Sequence, residues 1–97
     1  MNTDHIRYQQ DPAAITTFLN SDEAVIVHAD TKLSYALNAT GIAIWNLLSQ
    51  GHGINELTNG ICTEFDVDRE QARDGVIHFI EELLSFRLIV PLRQEEM

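Results

Sequence analysis

Four histidines and one cysteine (His5, His28, His52, His78 and Cys62) are the side chains of this chain best suited to metal binding or nucleophilic chemistry. Their spacing supports neither. Protein metal sites draw ligands from closely spaced pairs, and no CxxC or HxxxH pair occurs here. Cys62 follows Ile61 inside an apolar helical pattern, where a lone cysteine serves as a small core residue rather than an activated thiolate. Gly51-His52-Gly53 lacks the glycine and lysine that continue a phosphate-binding loop. Glu81-Glu82 and Glu95-Glu96 read as solvated acidic pairs, His78 as a solvated helix residue, and His28 as a residue on the less buried face of a strand. The residues thus imply no catalytic site, no metal and no cofactor, and the chain reads as a binding protein rather than an enzyme.

Charge narrows what it binds. Six Lys and Arg stand against fifteen Asp and Glu, for a net charge of −9. Gripping phosphates requires a concentrated positive surface, so nucleic acid is disfavoured and anionic membranes with it. No apolar run reaches the roughly 18 residues that would span a bilayer, and the N-terminus has neither the basic start nor the apolar centre of a secretion signal. A single cysteine excludes an internal disulfide and fits a reducing cytoplasm.

The elements that position the recognition residues follow from periodicity. The length predicts one domain over 1–97, with 1–15 as an irregular arm interrupted by Pro12 and 93–97 as a frayed tail. Thr16–Leu19, Glu23–Ala29 and Leu33–Leu37 alternate as strands with short turns between them, an antiparallel meander. In the second strand Val25 and Val27 share one face, with Ala24, Ile26 and His28 on the other. Asn38 is placed to cap a first helix running to about Gln50, with Gly41, Ile44, Trp45 and Leu48 as its buried stripe. Gly41 suggests a close backbone contact there. Asn55 is read as the cap of a second helix, with Leu57, Ile61 and Phe65 on one face. Asp68 and Gln71 have capping-box spacing for a third helix over Arg69 to about Phe86, and Leu88–Leu92 adds a short strand. The fold class is α+β, a three-stranded antiparallel sheet followed by three helices.

The third helix is more apolar than its own docking requires. Ala72, Val76, Phe79, Leu83 and Phe86 fall within a stripe of roughly 80°, enough to seat it on a core, and Ile77, Ile80 and Leu84 widen the arc to roughly 180°, with Arg73 among them. A sheet edge beside such a helix suits an incoming extended peptide. An exposed Ile77/Leu84 patch would equally serve a homodimer or a protein–protein adaptor. A DNA-associated winged-helix regulator is the other alternative, but the third helix lacks a basic face.

The Leu37-Asn38 pair entering the first helix, Ile44-Trp45 within it, the Ile54…Leu57…Ile61…Phe65 pattern and the Asp74…Phe79…Leu83…Leu88 pattern occur in one order over Thr16–Ile89. In that order the chain resembles the PqqD-like family, stand-alone peptide chaperones that bind leader peptides in ribosomal peptide modification. The resemblance implies a winged-helix-like fold in which a leader peptide adds beside the third strand and lies against the third helix. It makes Leu33, Ser34, Tyr35, Ala36 and Leu37 one wall of the groove and Arg73, Ile77, Ile80 and Leu84 the other. By its place on that arc Arg73 is read either as contacting an acidic residue of the peptide or as ion-pairing with Glu70, Asp66 or Asp74 at the helix start. It also implies delivery to a modifying enzyme, commonly a radical SAM protein. Members serving pyrroloquinoline quinone synthesis carry an aromatic-Pro-Glu-Gly turn where this chain has Ala29-Asp30-Thr31-Lys32, and a Cys-Asp-Gly where it has Ser49-Gln50-Gly51. These departures point to a different peptide pathway.

Overall fold

The computed structural model describes residues 6–92. Strands β1 (Arg7–Gln10), β2 (Ala14–Asn20), β3 (Glu23–His28) and β4 (Ser34–Leu37) precede helices α1 (Ala39–Leu48), α2 (Ile54–Phe65) and α3 (Arg69–Ser85), and β5 (Ile89–Leu92) closes the order. The antiparallel sheet β2-β3-β4 followed by three helices is the expected α+β, winged-helix-like arrangement; the third strand of the sequence reading is β4. A second sheet, β1-β5, was not expected. The segment read as an irregular arm holds β1 and the start of β2. Pro12 does not end the order; it sits in a turn whose Ala14 N–H donates to the Asp11 carbonyl over 2.9 Å, with the Asp11 side chain accepting from the Ala13 N–H at 2.8 Å. Pro just after Asp is favoured turn chemistry. The partner of β1 lies at the other end of the chain, beyond the reach of local pattern. The tail 93–97 and His5 lie outside the described residues.

The inner face of the main sheet is Ala24, Ile26 and His28, all buried, while Val27 is exposed; His28 shares a face with Ala24 and Ile26 as expected, but that face is the buried one and not the less buried one. Burial is tolerated because its Nδ1 accepts hydrogen bonds from the Asp30 and Thr31 N–H groups at 3.1 and 3.2 Å, leaving the ring nitrogen paired. That pairing also ties the β3–β4 turn to the sheet.

Asn38 caps α1 as expected, its side chain accepting from the Gly41 N–H at 2.9 Å. Trp45, 2% exposed, is the largest core residue, and its indole N–H donates to the Thr16 hydroxyl at 2.9 Å, pinning α1 to β2. Gly41 makes room for a side chain rather than for backbone: a Cβ there would lie 3.1 Å from Leu37 Cδ2. The cap of α2 is Gly53, not Asn55; the Gly53 N–H donates to the Glu56 carboxylate, which also accepts from Arg7 of β1. A side chain three residues into the helix thus reaches back to the cap, half of a capping box. Asp68 caps α3, accepting from the Glu70 and Gln71 N–H groups.

α3 ends in a Schellman turn: Leu88 N–H donates to the Leu83 carbonyl and Arg87 N–H to that of Leu84, with Leu83 and Leu88 in the core beneath. The motif requires a left-handed residue, and here it is Arg87 at φ 62° where glycine carries no steric cost. Arg87→Gly is therefore expected to raise the unfolding free energy by about 1 kcal/mol, read as a higher urea midpoint at unchanged slope.

Candidate functional site

β4 is an edge strand: it pairs with β3 on one side, and no described strand pairs with the other. The hairpin decides which groups face the open side. His28 N–H donates to the Leu33 carbonyl over 2.9 Å, a hydrogen-bonded pair, and such pairs alternate along an antiparallel ladder. In the observed register Ile26↔Tyr35 and Ala24↔Leu37 are then bonded pairs, whereas Val27↔Ser34 and Val25↔Ala36 are not. The N–H and C=O groups of Ser34 and Ala36 consequently point away from β3.

Across from this edge, α3 walls a cleft of about 600 Å³. Gln71, Gly75, His78, Phe79 and Glu82 line it on the helix side. Its apolar lining is completed by buried residues of three elements, Leu37 of β4, Ile44 of α1 and Ile61 of α2, with Val76 of α3. An extended peptide laid along β4 would meet backbone groups on one flank and apolar side chains on the other.

Tyr35 bridges β4 to the C-terminal half of α3. Its hydroxyl donates to Glu82, and its ring meets Phe79 at 5.9 Å and Phe86 edge-on at 5.2 Å, separations that favour tilted aromatic pairs. Burial, and then the hydrogen bond and charge of Glu82, push the phenol up to about 12. Tyr35 therefore stays neutral and a donor at physiological pH. The rim of the cleft is acidic. Glu82 sits at the Tyr35 end, Glu23 precedes the Leu37 partner Ala24 at the other, and no Lys or Arg is among the lining residues.

Of the nine residues expected to form the groove, Tyr35, Ala36 and Leu37 line this cleft. Ser34 contributes its outward backbone, and Leu33, 47% exposed, stands at the entrance to the strand. The helical four are elsewhere. Ile80 is in the core at 2% exposure, Ile77 and Leu84 pack half-buried against it, Arg73 is half-buried, and none of them lines the cleft. An apolar arc of roughly 180° lets a helix dock in more than one rotation. The one adopted sends Ile80 into the core and brings Phe79 and Phe86 to Tyr35, so the cleft wall is the flank carrying Gln71, Gly75 and Phe79. The missed signal was the pairing of Phe79 of α3 and Phe86 at its C-cap with an inward aromatic on β4.

Among the described residues, no group of three or more His, Cys, Asp and Glu is disposed to hold a metal ion, and no helix is long and apolar enough to cross a membrane.

The family model for coenzyme PQQ synthesis protein D (PqqD) matches residues 23–89. Two solved structures share the fold over nearly their whole length. TbiB1 in complex with the TbiA(beta) leader peptide is 28% identical, with a TM-score of 0.79 over 89% of this chain and 99% of that one. Lasso peptide synthetase B1 complexed with the leader peptide is 18% identical, with a TM-score of 0.76 over 87% and 98%, a likeness of fold. No curated protein matches the chain at comparable significance.

The Tyr35 environment has a measurable consequence. Between pH 10 and about 12 the unfolded chain has released this proton and the folded one has not, so stability falls as pH rises through that window and the contribution is intact below it. Tyr8, also raised by burial, acts in the same direction, so the difference between proteins is what reports on Tyr35. The alkaline fall in unfolding midpoint is expected to be shallower in Tyr35→Phe than in wild type. Equal falls would show that Tyr35 titrates as a free phenol.

Proposed function

The chain belongs to the PqqD family, and from that premise we propose that it captures the leader segment of a ribosomally made precursor peptide by adding it as a strand to the open edge of β4. The observation that carries this reading is the outward backbone of Ser34 and Ala36 facing an apolar cleft. The two related structures support it, each holding a leader peptide. In this reading Ser34 and Ala36 act through their main chain, Tyr35 and Leu37 through their side chains, and Leu33 at the strand entrance. On the helix, Gln71, Gly75 and Phe79 take the place given by the sequence to Arg73, Ile77, Ile80 and Leu84.

Two N–H and two C=O groups at about 1 kcal/mol net each give about 4 kcal/mol, short of the roughly 8 kcal/mol of a micromolar complex. Seating apolar side chains of the peptide must supply the rest, at about 2 kcal/mol for each well-buried one, against the cost of ordering the peptide. Backbone bonds thus hold any extended chain, and the cleft chooses among them. Its acidic rim disfavours carboxylates near the bound segment and favours Lys or Arg there. The protein performs no chemistry itself; it works in the cytoplasm and raises the local concentration of the peptide at a modifying enzyme, a radical SAM protein by the family resemblance.

The test uses a displayed library tiling the short open reading frames of the source genome. A leader segment is expected to be enriched on the wild-type protein. Ala36→Pro removes an N–H that β3 does not use, and the fixed φ of proline is tolerated on an edge strand. It is expected to weaken the enriched peptide at least about tenfold with the circular dichroism spectrum unchanged. Arg73→Ala, outside the cleft, is expected to leave affinity within about twofold, as for a side chain that makes no contact with the ligand. Undiminished binding by Ala36→Pro, or no enriched leader, would reject the reading.

A further inference from the structure

Gly75 is in the interior of the 17-residue helix α3, where glycine weakens a helix relative to alanine. Two other helical glycines have neighbours that account for them. A Cβ at Gly41 would lie 3.1 Å from Leu37 Cδ2, and one at Gly60 only 2.7 Å from Leu47 Cδ1. At Gly75 a Cβ would meet nothing within 4 Å. Outside its chain neighbours and its own helix backbone, no described atom excludes a side chain there. The space it leaves opens into the cleft, where Gly75 lies between Gln71 and Phe79 on successive turns.

We propose that Gly75 is a specificity-determining residue, kept bare so that one large apolar side chain of the bound peptide can pass α3 and seat against Leu37, Ile61 and Val76. This rests on the strand-addition reading and adds to it the class of residue that is read. An added strand turns alternate side chains toward the helix, so a single position faces the gap left by Gly75. The seat is apolar: Leu37, Ile61 and Val76 line the cleft beside Gly75. A charged side chain entering it would lose its water without gaining a partner, and a small one would leave the cavity unfilled. An aromatic or branched aliphatic residue fits both constraints.

Such a role sets stability and recognition against each other. Gly75→Ala is expected to raise the thermal midpoint, because it improves the helix and collides with nothing. Gly75→Leu is expected to remain folded while filling the gap. A random linear peptide library selected on wild type, Gly75→Leu and Ala36→Pro separates the possibilities. Wild type is expected to enrich a large apolar residue at one fixed position. Gly75→Leu is expected to prefer Gly, Ala or Ser there and to bind the wild-type consensus at least about tenfold more weakly, since discrimination is a difference of affinities. The same consensus and affinity on Gly75→Leu would overturn the assignment, and so would a lower midpoint for Gly75→Ala, which would reveal an internal packing role. If Gly75→Leu is unchanged while Ala36→Pro loses binding, strand addition stands without Gly75. If both are unchanged, or wild type enriches no peptide, both proposals fail together.

Discussion

The hydrogen bond from His28 N–H to the Leu33 carbonyl fixes the parity of β4. Once it forms, the Leu33 carbonyl and the backbone groups of Tyr35 and Leu37 are taken up by β3, and Ser34 and Ala36 keep theirs for the outside. The same parity turns the Tyr35 and Leu37 side chains toward the helices. A slip of one residue would reverse both assignments, pairing the wrong amides and exposing the wrong side chains. Burial of His28 guards against that slip, because its ring accepts two N–H groups of the turn that sets the register.

From that register follows a cleft of graded character. At one end Tyr35, Phe79, Phe86 and Glu82 join β4 to α3 through ring contacts and a hydrogen bond. Farther along the helix toward its start, Gly75 contributes no side chain and the wall recedes. The strut holds strand and helix at a defined separation, with the recess beside it. An open edge strand invites pairing with other chains. β4 is only four residues long, and a net charge of −9 makes two copies repel one another.

Local chemistry made much of this legible. The alternation of Glu23–His28, the Asn38 and Asp68 caps and the Trp45 stripe depend on residues near one another in sequence, and each was readable from spacing. What escaped depends on distant partners. Arg7–Gln10 is a strand only because Ile89–Leu92 lies beside it. Asn55 offered a better cap side chain than Gly53, but Glu56 and Arg7 together favour the start at Ile54. The helical wheel gave the width of the apolar arc of α3 and not its rotation, which Tyr35 settles from another element. That rotation leaves Arg73, Ile77, Ile80 and Leu84 off the cleft and places Gln71, Gly75 and Phe79 along it. The residues lining the cleft include Glu23 and Glu82 and no Lys or Arg.

Residue-resolved amide exchange by NMR, with and without a selected peptide, tests the central claim most directly. In the free protein Ser34 and Ala36 should exchange rapidly while Tyr35 and Leu37 are protected, and saturating peptide should protect Ser34 and Ala36 as well. Ser34 and Ala36 amides that stay fast with peptide bound, or are already protected without it, would contradict strand addition at β4.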